Sequence, residues 1–346
     1  MVRALWGIAA LWTVLLVARP SRAEVPSVDE RLQASAERWL RTAAPHEGAI
    51  VMSDVKTGRI LAWASIGGGD RVGSAFAPLA SVFKLATVSA LLDSGRVTGG
   101  STVCYSGGER SIDTSDLHDT PRPGDACISL RTALGHSINV AIAKLALRHA
   151  RPDEVSAKAS LLGLDGDVPI DRTVGRSHIT IPDDRLGFAR AAAGFWNGRT
   201  SALGALFAVQ TIANGGTRVR LHTATKDPVR VEEGRALRAE SAAELTRMMQ
   251  ITTRSGTAAK VFRAGKRPSL EGVTVAAKTG TLIGDKPARM YSWFTGFAPA
   301  EAPEIAFAVL LANDVTWRMK ANEVGREVLG DYFRSHATTT RRIARR

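Results

Sequence analysis

The sequence predicts an α/β domain in which strands from both ends of the chain form one sheet around a long, mainly helical inserted lobe. Three observations lead there. Gly48 to Val55 and Arg59 to Ser65 are strand-like runs flanking the turn residues Lys56-Thr57-Gly58, as in a hairpin. Strand patterns return at Val273 to Thr281, Met290 to Phe297 and Ile305 to Leu311. Between the two sets, from Ser81 to about Phe262, apolar residues recur mainly at helical spacing. The chain has 346 residues, 45% of them hydrophobic and 23% charged, enough to bury a sizeable core. It shows no collagen-like period and no apolar run of about 18 residues. A disordered, a fibrous and a polytopic membrane protein are therefore excluded.

The first residues give an address. Met1-Val2-Arg3 is a short positive start, and Ala4 to Ala18 is uncharged and apolar. Pro20-Ser21-Arg22-Ala23 then places small residues at the two positions a signal peptidase reads. Residues 1–23 are expected to be a secretory signal cleaved after Ala23. The alternative is an uncleaved anchor, which would keep the domain associated with a membrane. Both place it outside the cytoplasm, in a periplasm or on the outer face of the cytoplasmic membrane. Nucleic acid is then a poor partner despite the net charge of +13. Part of that charge lies off the body, in Arg3, Arg19 and Arg22 and in a basic tail, 337–346, holding Arg341, Arg342, Arg345 and Arg346.

Ser27-Val28-Asp29-Glu30 reads as a capping box opening a helix with the apolar face Leu32, Ala36, Trp39 and Leu40, so 24–45 is a short helix and linker. The helical region is broken by a Gly-, Ser- and Asp-rich stretch from Gly99 to Asp125 and an irregular one from Gly163 to Pro182. Asn322 to Phe333 reads as a closing helix. Cys104 and Cys127 are the only cysteines, and an oxidising compartment permits them to pair. Such a bridge would stabilise the fold by about 3 kcal/mol. The alternative is a metal held with His118, but two thiols and one imidazole do not fill a structural zinc site, so no metal is expected. His118 and His136 are expected to be surface or packed histidines.

Three short motifs carry chemistry. Ser81-Val82-Phe83-Lys84 places a hydroxyl and an amine on one face of a helix start, where a desolvated lysine can take the serine proton. Ser137-Ile138-Asn139 falls within the helical pattern Leu130 to His149. Lys278-Thr279-Gly280-Thr281 ends an apolar strand, and a strand edge with lysine, two hydroxyls and a glycine suits a peptide carboxylate. Two decoys exist. Ser53-Asp54-Val55-Lys56 runs from a strand into a turn, where its side chains diverge, and Lys56-Thr57-Gly58 is an ordinary turn.

Order separates signal from decoy. A Ser-Lys pair, then Ser-x-Asn, then Lys-Thr-Gly is the active-serine set of penicillin-binding proteins and β-lactamases, and the chain resembles the penicillin-binding transpeptidase family. The first hairpin, Ala133-Leu134 before Ser137, Ile212 to Gly216, Gly256-Thr257-Ala258 and Trp293 to Pro299 look like further landmarks of that family. Leu79-Ala80 stands where the family often has Pro-Gly. The resemblance covers most of an implied catalytic domain at 46–336. It implies a β-lactamase/transpeptidase-like fold, a five-stranded antiparallel sheet flanked by helices.

It also implies roles. Ser81 would attack the carbonyl of a D-alanyl-D-alanine stem peptide of peptidoglycan, or a β-lactam, and form an acyl-enzyme. Lys84 would be the base, and Ser137 would relay a proton to the leaving amine. Asn139 would hold the substrate amide and Lys84. Lys278, Thr279 and Thr281, beside Gly280, would bind the carboxylate, and the N–H groups of Ser81 and Thr281 would form the oxyanion hole. No cofactor is needed. The Glu-x-x-x-Asn element of class A β-lactamases is missing, since Ala193 and Gln210 precede Asn197 and Asn214, and class D enzymes have Ser-x-Val at the second motif. The expectation is a D,D-transpeptidase with slow deacylation. A D,D-carboxypeptidase, a β-lactamase and a non-turnover sensor of β-lactams are the alternatives. With about 45 residues ahead of the catalytic part, a nearly bare catalytic domain is expected.

Overall fold

The computed structural model describes residues 28–343 apart from 109–110, 196–197, 225–228, 264–269, 286–287 and 315–316. The signal expected at 1–23, Ser27 of the expected capping box, and the side chains of the terminal arginines lie outside the described residues. Among the described residues no helix is long and apolar enough to cross a membrane.

Strands β1 (Glu47–Asp54) and β2 (Ile60–Ile66) from the start of the chain join β9 (Ala276–Asp285), β10 (Ala288–Ala298) and β11 (Ile305–Asn313) from its end in the order β2-β1-β11-β10-β9. Every neighbouring pair is antiparallel. This is the five-stranded sheet expected. β11 sits at its centre, and all nine of its residues are buried, which is why Ile305 to Leu311 reads as an unbroken apolar run rather than an alternating one. Three two-stranded ribbons lie in the insertion: β3 (Thr102–Tyr105) with β4 (Ala126–Ser129), β5 (His178–Ile179) with β6 (Gly198–Arg199), and β7 (Thr217–Val219) with β8 (Glu232–Arg235).

Alternation along the strands feeds two cores. Ile50, Met52, Phe294, Phe307 and Val309 pack against α1 (Glu30–Ala43) and α10 (Ala321–Ile343) on one face. Ala49, Val51, Trp293, Phe297 and Leu310 meet the inserted helices on the other. The centre of that second core is α7 (Ala202–Ala213), buried on all sides from Ala202 to Ile212, as expected of a helix without a polar face. The remaining inserted helices are α2 (Lys84–Asp93), which packs on α4 (Asn139–His149), α5 (Pro152–Leu161) and α8 (Ala239–Arg254); α3 (Leu130–Gly135), which packs on α8 and α4; α6 (Arg185–Ala192), which packs on α4; and the short α9 (Ala259–Arg263), which packs on α8 and α10.

Three local expectations need correction. Asp29, not Ser27, caps α1, its side chain accepting the Leu32 N–H at 2.9 Å, because the chain turns helical only at Glu30. The closing helix runs on to Ile343, through the segment read as a tail. The helix expected from Leu130 to His149 is two helices, broken at Ser137-Ile138.

Candidate active site

Ser81 lies where the chain crosses from the sheet into the insertion. Its segment, Ala80–Phe83, is a turn of 3₁₀-helix that runs directly into α2. Side chains three residues apart eclipse in that geometry, so Lys84 stands over Ser81. Lys84 Nζ donates to Ser81 Oγ at 2.7 Å. Close packing holds the turn in place. A Cβ on Gly194 would fall 2.2 Å from the Ala80 carbonyl oxygen, and the Trp293 indole donates to the Pro78 carbonyl at 2.8 Å. Gly280 of β9 packs on the same turn, its absent Cβ leaving room for Leu79 and Ala80.

The break between α3 and α4 has a chemical consequence. His136 caps α3, and the Ser137 N–H and Ile138 N–H donate back to the Leu134 and Ala133 carbonyls. This is a Schellman closure with a serine in its left-handed position, φ 61°. A side chain there costs about 1 kcal/mol relative to glycine. In a continuous helix Ser137 and Asn139, two residues apart, would point to nearly opposite sides. The break instead turns both toward the Ser81 turn.

Asn139 Oδ1 accepts from Lys84 Nζ at 2.7 Å, and so does the carbonyl oxygen of Ala193, at the end of α6, at 2.7 Å. Lys84 is fully buried. Burial, and next the charge of Lys278, hold its ammonium well below the usual lysine range. Lys278 lies within β9, not at its end as the sequence suggested, because the strand continues to Asp285. It too is fully buried, and burial alone lowers its pKa to about 7. Its Nζ donates to Ser137 Oγ at 2.9 Å and to the Thr279 carbonyl at 2.9 Å. Thr279 and Thr281 stand on one side of β9, an edge strand of the sheet. Thr257, which follows α8, shares a 2.5 Å hydrogen bond with the Thr279 hydroxyl.

These groups surround a cleft of about 340 Å³ lined by Ser81, Ser137, Asn139, Thr279, Gly280 and Thr281. His136, Ser292, Lys320 and Asn322 line it as well, though sequence reasoning gave them no role there. Among the described residues lining it there is no carboxylate. The decoy Ser53 is elsewhere, buried and bonded to Gln210 of α7. Cys104 and Cys127 are opposed across β3 and β4 and are disulfide-bonded. His118 bonds Asp125 at 2.9 Å instead of joining the cysteines. No cluster of three or more metal-ligating side chains occurs among the described residues.

Residues 48–332 match the profile of the penicillin binding protein transpeptidase domain. The chain belongs to that family. Peptidoglycan D,D-transpeptidase PbpA of Mycobacterium tuberculosis is 28% identical over 338 residues, spanning 82% of this chain and 67% of that protein. The probable peptidoglycan D,D-transpeptidase FtsI of Caulobacter vibrioides is 30% identical over 309 residues, spanning 80% of this chain and 50% of that one. Among solved structures, penicillin-binding protein A from M. tuberculosis, as its imipenem acyl-enzyme complex, superposes with a TM-score of 0.69 at 24% identity, covering 88% of this chain and 79% of that one. A peptidoglycan glycosyltransferase from Burkholderia ambifaria gives 0.75 at 22% identity over 90% of this chain and 98% of that one. In this penicillin-binding transpeptidase domain the matched segment begins within β1 and ends within α10, so it takes in the whole insertion and all of the sheet except Glu47.

Proposed function

We propose that this chain is a serine D,D-transpeptidase that acts on D-alanyl-D-alanine stem peptides through an acyl-enzyme on Ser81, and that β-lactams acylate the same serine. The observation that carries this reading is the Lys84 amine, fully buried and 2.7 Å from Ser81 Oγ. Deprotonated, it donates its two N–H groups to Asn139 Oδ1 and the Ala193 carbonyl and turns its lone pair to the serine, whose O–H then donates.

Ser81 Oγ adds to the substrate carbonyl as Lys84 takes its proton, and the N–H groups of Ser81 and Thr281 receive the oxyanion, each contributing about 3 kcal/mol. Collapse breaks the C–N bond, and the proton passes from Lys84 through Ser137 to the departing D-alanine nitrogen. Lys278, Thr279 and Thr281 hold the terminal carboxylate. The ester on Ser81 then passes to the amine of a second stem peptide, or to water, as in a carboxypeptidase. No carboxylate among the described residues lining the cleft adds a second base to Lys84 for water attack, so deacylation is slow and a β-lactam adduct is long-lived. Such a substrate lies outside the cytoplasm, where a disulfide persists.

The test is intact-protein mass after mixing residues 24–346 with benzylpenicillin, followed over hours, with Ser81→Ala beside it. A persistent adduct in the wild type and none in the variant is the expected result. An adduct lost within seconds as drug is consumed means a β-lactamase, and no adduct refutes the assignment of Ser81.

A further inference from the structure

Lys144 is a buried cation that the acylation chemistry does not use. It lies within α4 and is only 2% exposed. Its Nζ donates to the carbonyl of Cys104 at 2.7 Å, beside the Cys104–Cys127 bridge. At the first residue of the same helix, Asn139 Nδ2 donates to the Gly108 carbonyl at 3.3 Å while its Oδ1 accepts from Lys84. α4 thus grips the 104–108 segment at both ends.

The same disulfide-closed stretch reaches the other side of Lys84. Ile112 and Leu117 pack with Val140 and Ala143 of α4 and with Ala189 and Ala193 of α6 in a small separate core. Arg190 of α6 donates to the Ile112 carbonyl at 2.8 Å. The Ala193 carbonyl is the third oxygen around Lys84 Nζ. Two of the three oxygens that orient the amine therefore belong to groups held by this stretch; the third is Ser81 itself.

We propose that the Cys104–Cys127 stretch, anchored on α4 by Lys144, is a brace that positions Lys84 against Ser81, which makes Lys144 and the disulfide determinants of the acylation rate. The inference rests on the reading of Lys84 as the base. A displacement of about 1 Å in such a group costs about 10²-fold in rate. A displaced Lys84 also meets water, which raises its proton affinity. Lys278 of β9 is the charged group acting on Lys84, and His136 lines the same cleft; neither lies on the Cys104–Cys127 stretch.

The experiment measures the second-order rate constant for acylation of the full chain by benzylpenicillin from about pH 6 to about pH 10. The variants are Lys144→Met, Lys144→Arg and the pair Cys104→Ser/Cys127→Ser. Lys144→Met and the cysteine pair are expected to react on the order of tenfold or more slowly at neutral pH, with the rising limb of the profile displaced to higher pH. Lys144→Arg, which restores a donor to the Cys104 carbonyl, recovers much of the rate. Wild-type rates and an unmoved limb overturn the proposal, including when the melting temperature falls, since that describes a structural staple only. Should Lys144→Met fail to fold, the cysteine pair supplies the same readout. A wild type that is not acylated at all removes the Ser81–Lys84 assignment instead, a distinct failure.

Discussion

Lys278 acts on Lys84 within the protein, and its charge lowers the proton affinity of the second lysine. Both ammonium groups are fully buried, and no carboxylate among the described residues lining the cleft is there to pair with them. Each is therefore easier to deprotonate than a lysine in water.

That has a thermodynamic signature. Lys278 has a folded-state pKa of about 7, against about 10.4 in the unfolded chain. Between these values the unfolded chain binds more protons, so stability rises with pH across the window and is lost as pH falls toward 7. Melting temperatures of wild type and Lys278→Met, compared from neutral to alkaline pH, are expected to show a shallower rise in the variant. Parallel curves would contradict the depressed pKa.

Asn139→Asp sets a carboxylate where Oδ1 now accepts from Lys84. The opposite charge favours the ammonium, so the rising limb of acylation moves to higher pH and the rate at neutral pH falls about tenfold or more. Some thermal stability is lost as well, because a carboxylate cannot donate to the Gly108 carbonyl as Asn139 Nδ2 does, so the pH–rate profile and not the melting temperature carries the test. A pH–rate profile with benzylpenicillin decides it, and an unshifted limb would remove Lys84 from the base role.

Gly194, at φ 85°, has the Ala80 carbonyl 2.2 Å from where a Cβ would stand. Gly194→Ala is both strained and in collision with the turn that carries Ser81. A loss of about 1–3 kcal/mol in denaturant unfolding is expected, together with slower acylation. Gly95, also at positive φ, has nothing within 4 Å of its Cβ position, so Gly95→Ala should lose stability and leave the acylation rate alone.

The decoy can be tested too. Ser53 Oγ bonds Gln210, and both are fully buried. Ser53→Ala leaves the Gln210 carbonyl oxygen without that donor, at a cost of about 1–3 kcal/mol, while the benzylpenicillin adduct forms at an unchanged rate. A slowed reaction would mean that the Ser53 segment reaches the cleft.

Much of the fold was legible because hydropathy period reports it directly. The hairpin, the late strands and the insertion all appear as changes of period in the sequence, and the order of the three motifs, not any one of them, singled out Ser81, Ser137 and Lys278. What stayed hidden depends on features that a side-chain pattern does not carry. The left-handed turn at Ser137 is a backbone conformation, and serine does not announce it as glycine would. The Ala193 partner of Lys84 is a main-chain oxygen, indistinguishable from any other in sequence. Lys320 and Asn322 reach the cleft through long-range packing, and Lys144 looks like a surface lysine until the ribbon is laid over α4.

The sheet is closed by the chain's two ends, since β1 pairs with β11 from Glu47 opposite Ala312 to Asp54 opposite Ile305. The central pairing therefore cannot form until the chain is present through β11, more than 250 residues after β1. Contacts of such long sequence separation are slow to gain, because loop closure must precede them. A chain crossing a membrane from its N-terminus would hold β1 and β2 as an unfinished apolar edge until translocation is nearly complete. In such a chain Ser81 would meet the Lys278 strand only then, and the nucleophile would stay unassembled throughout the passage.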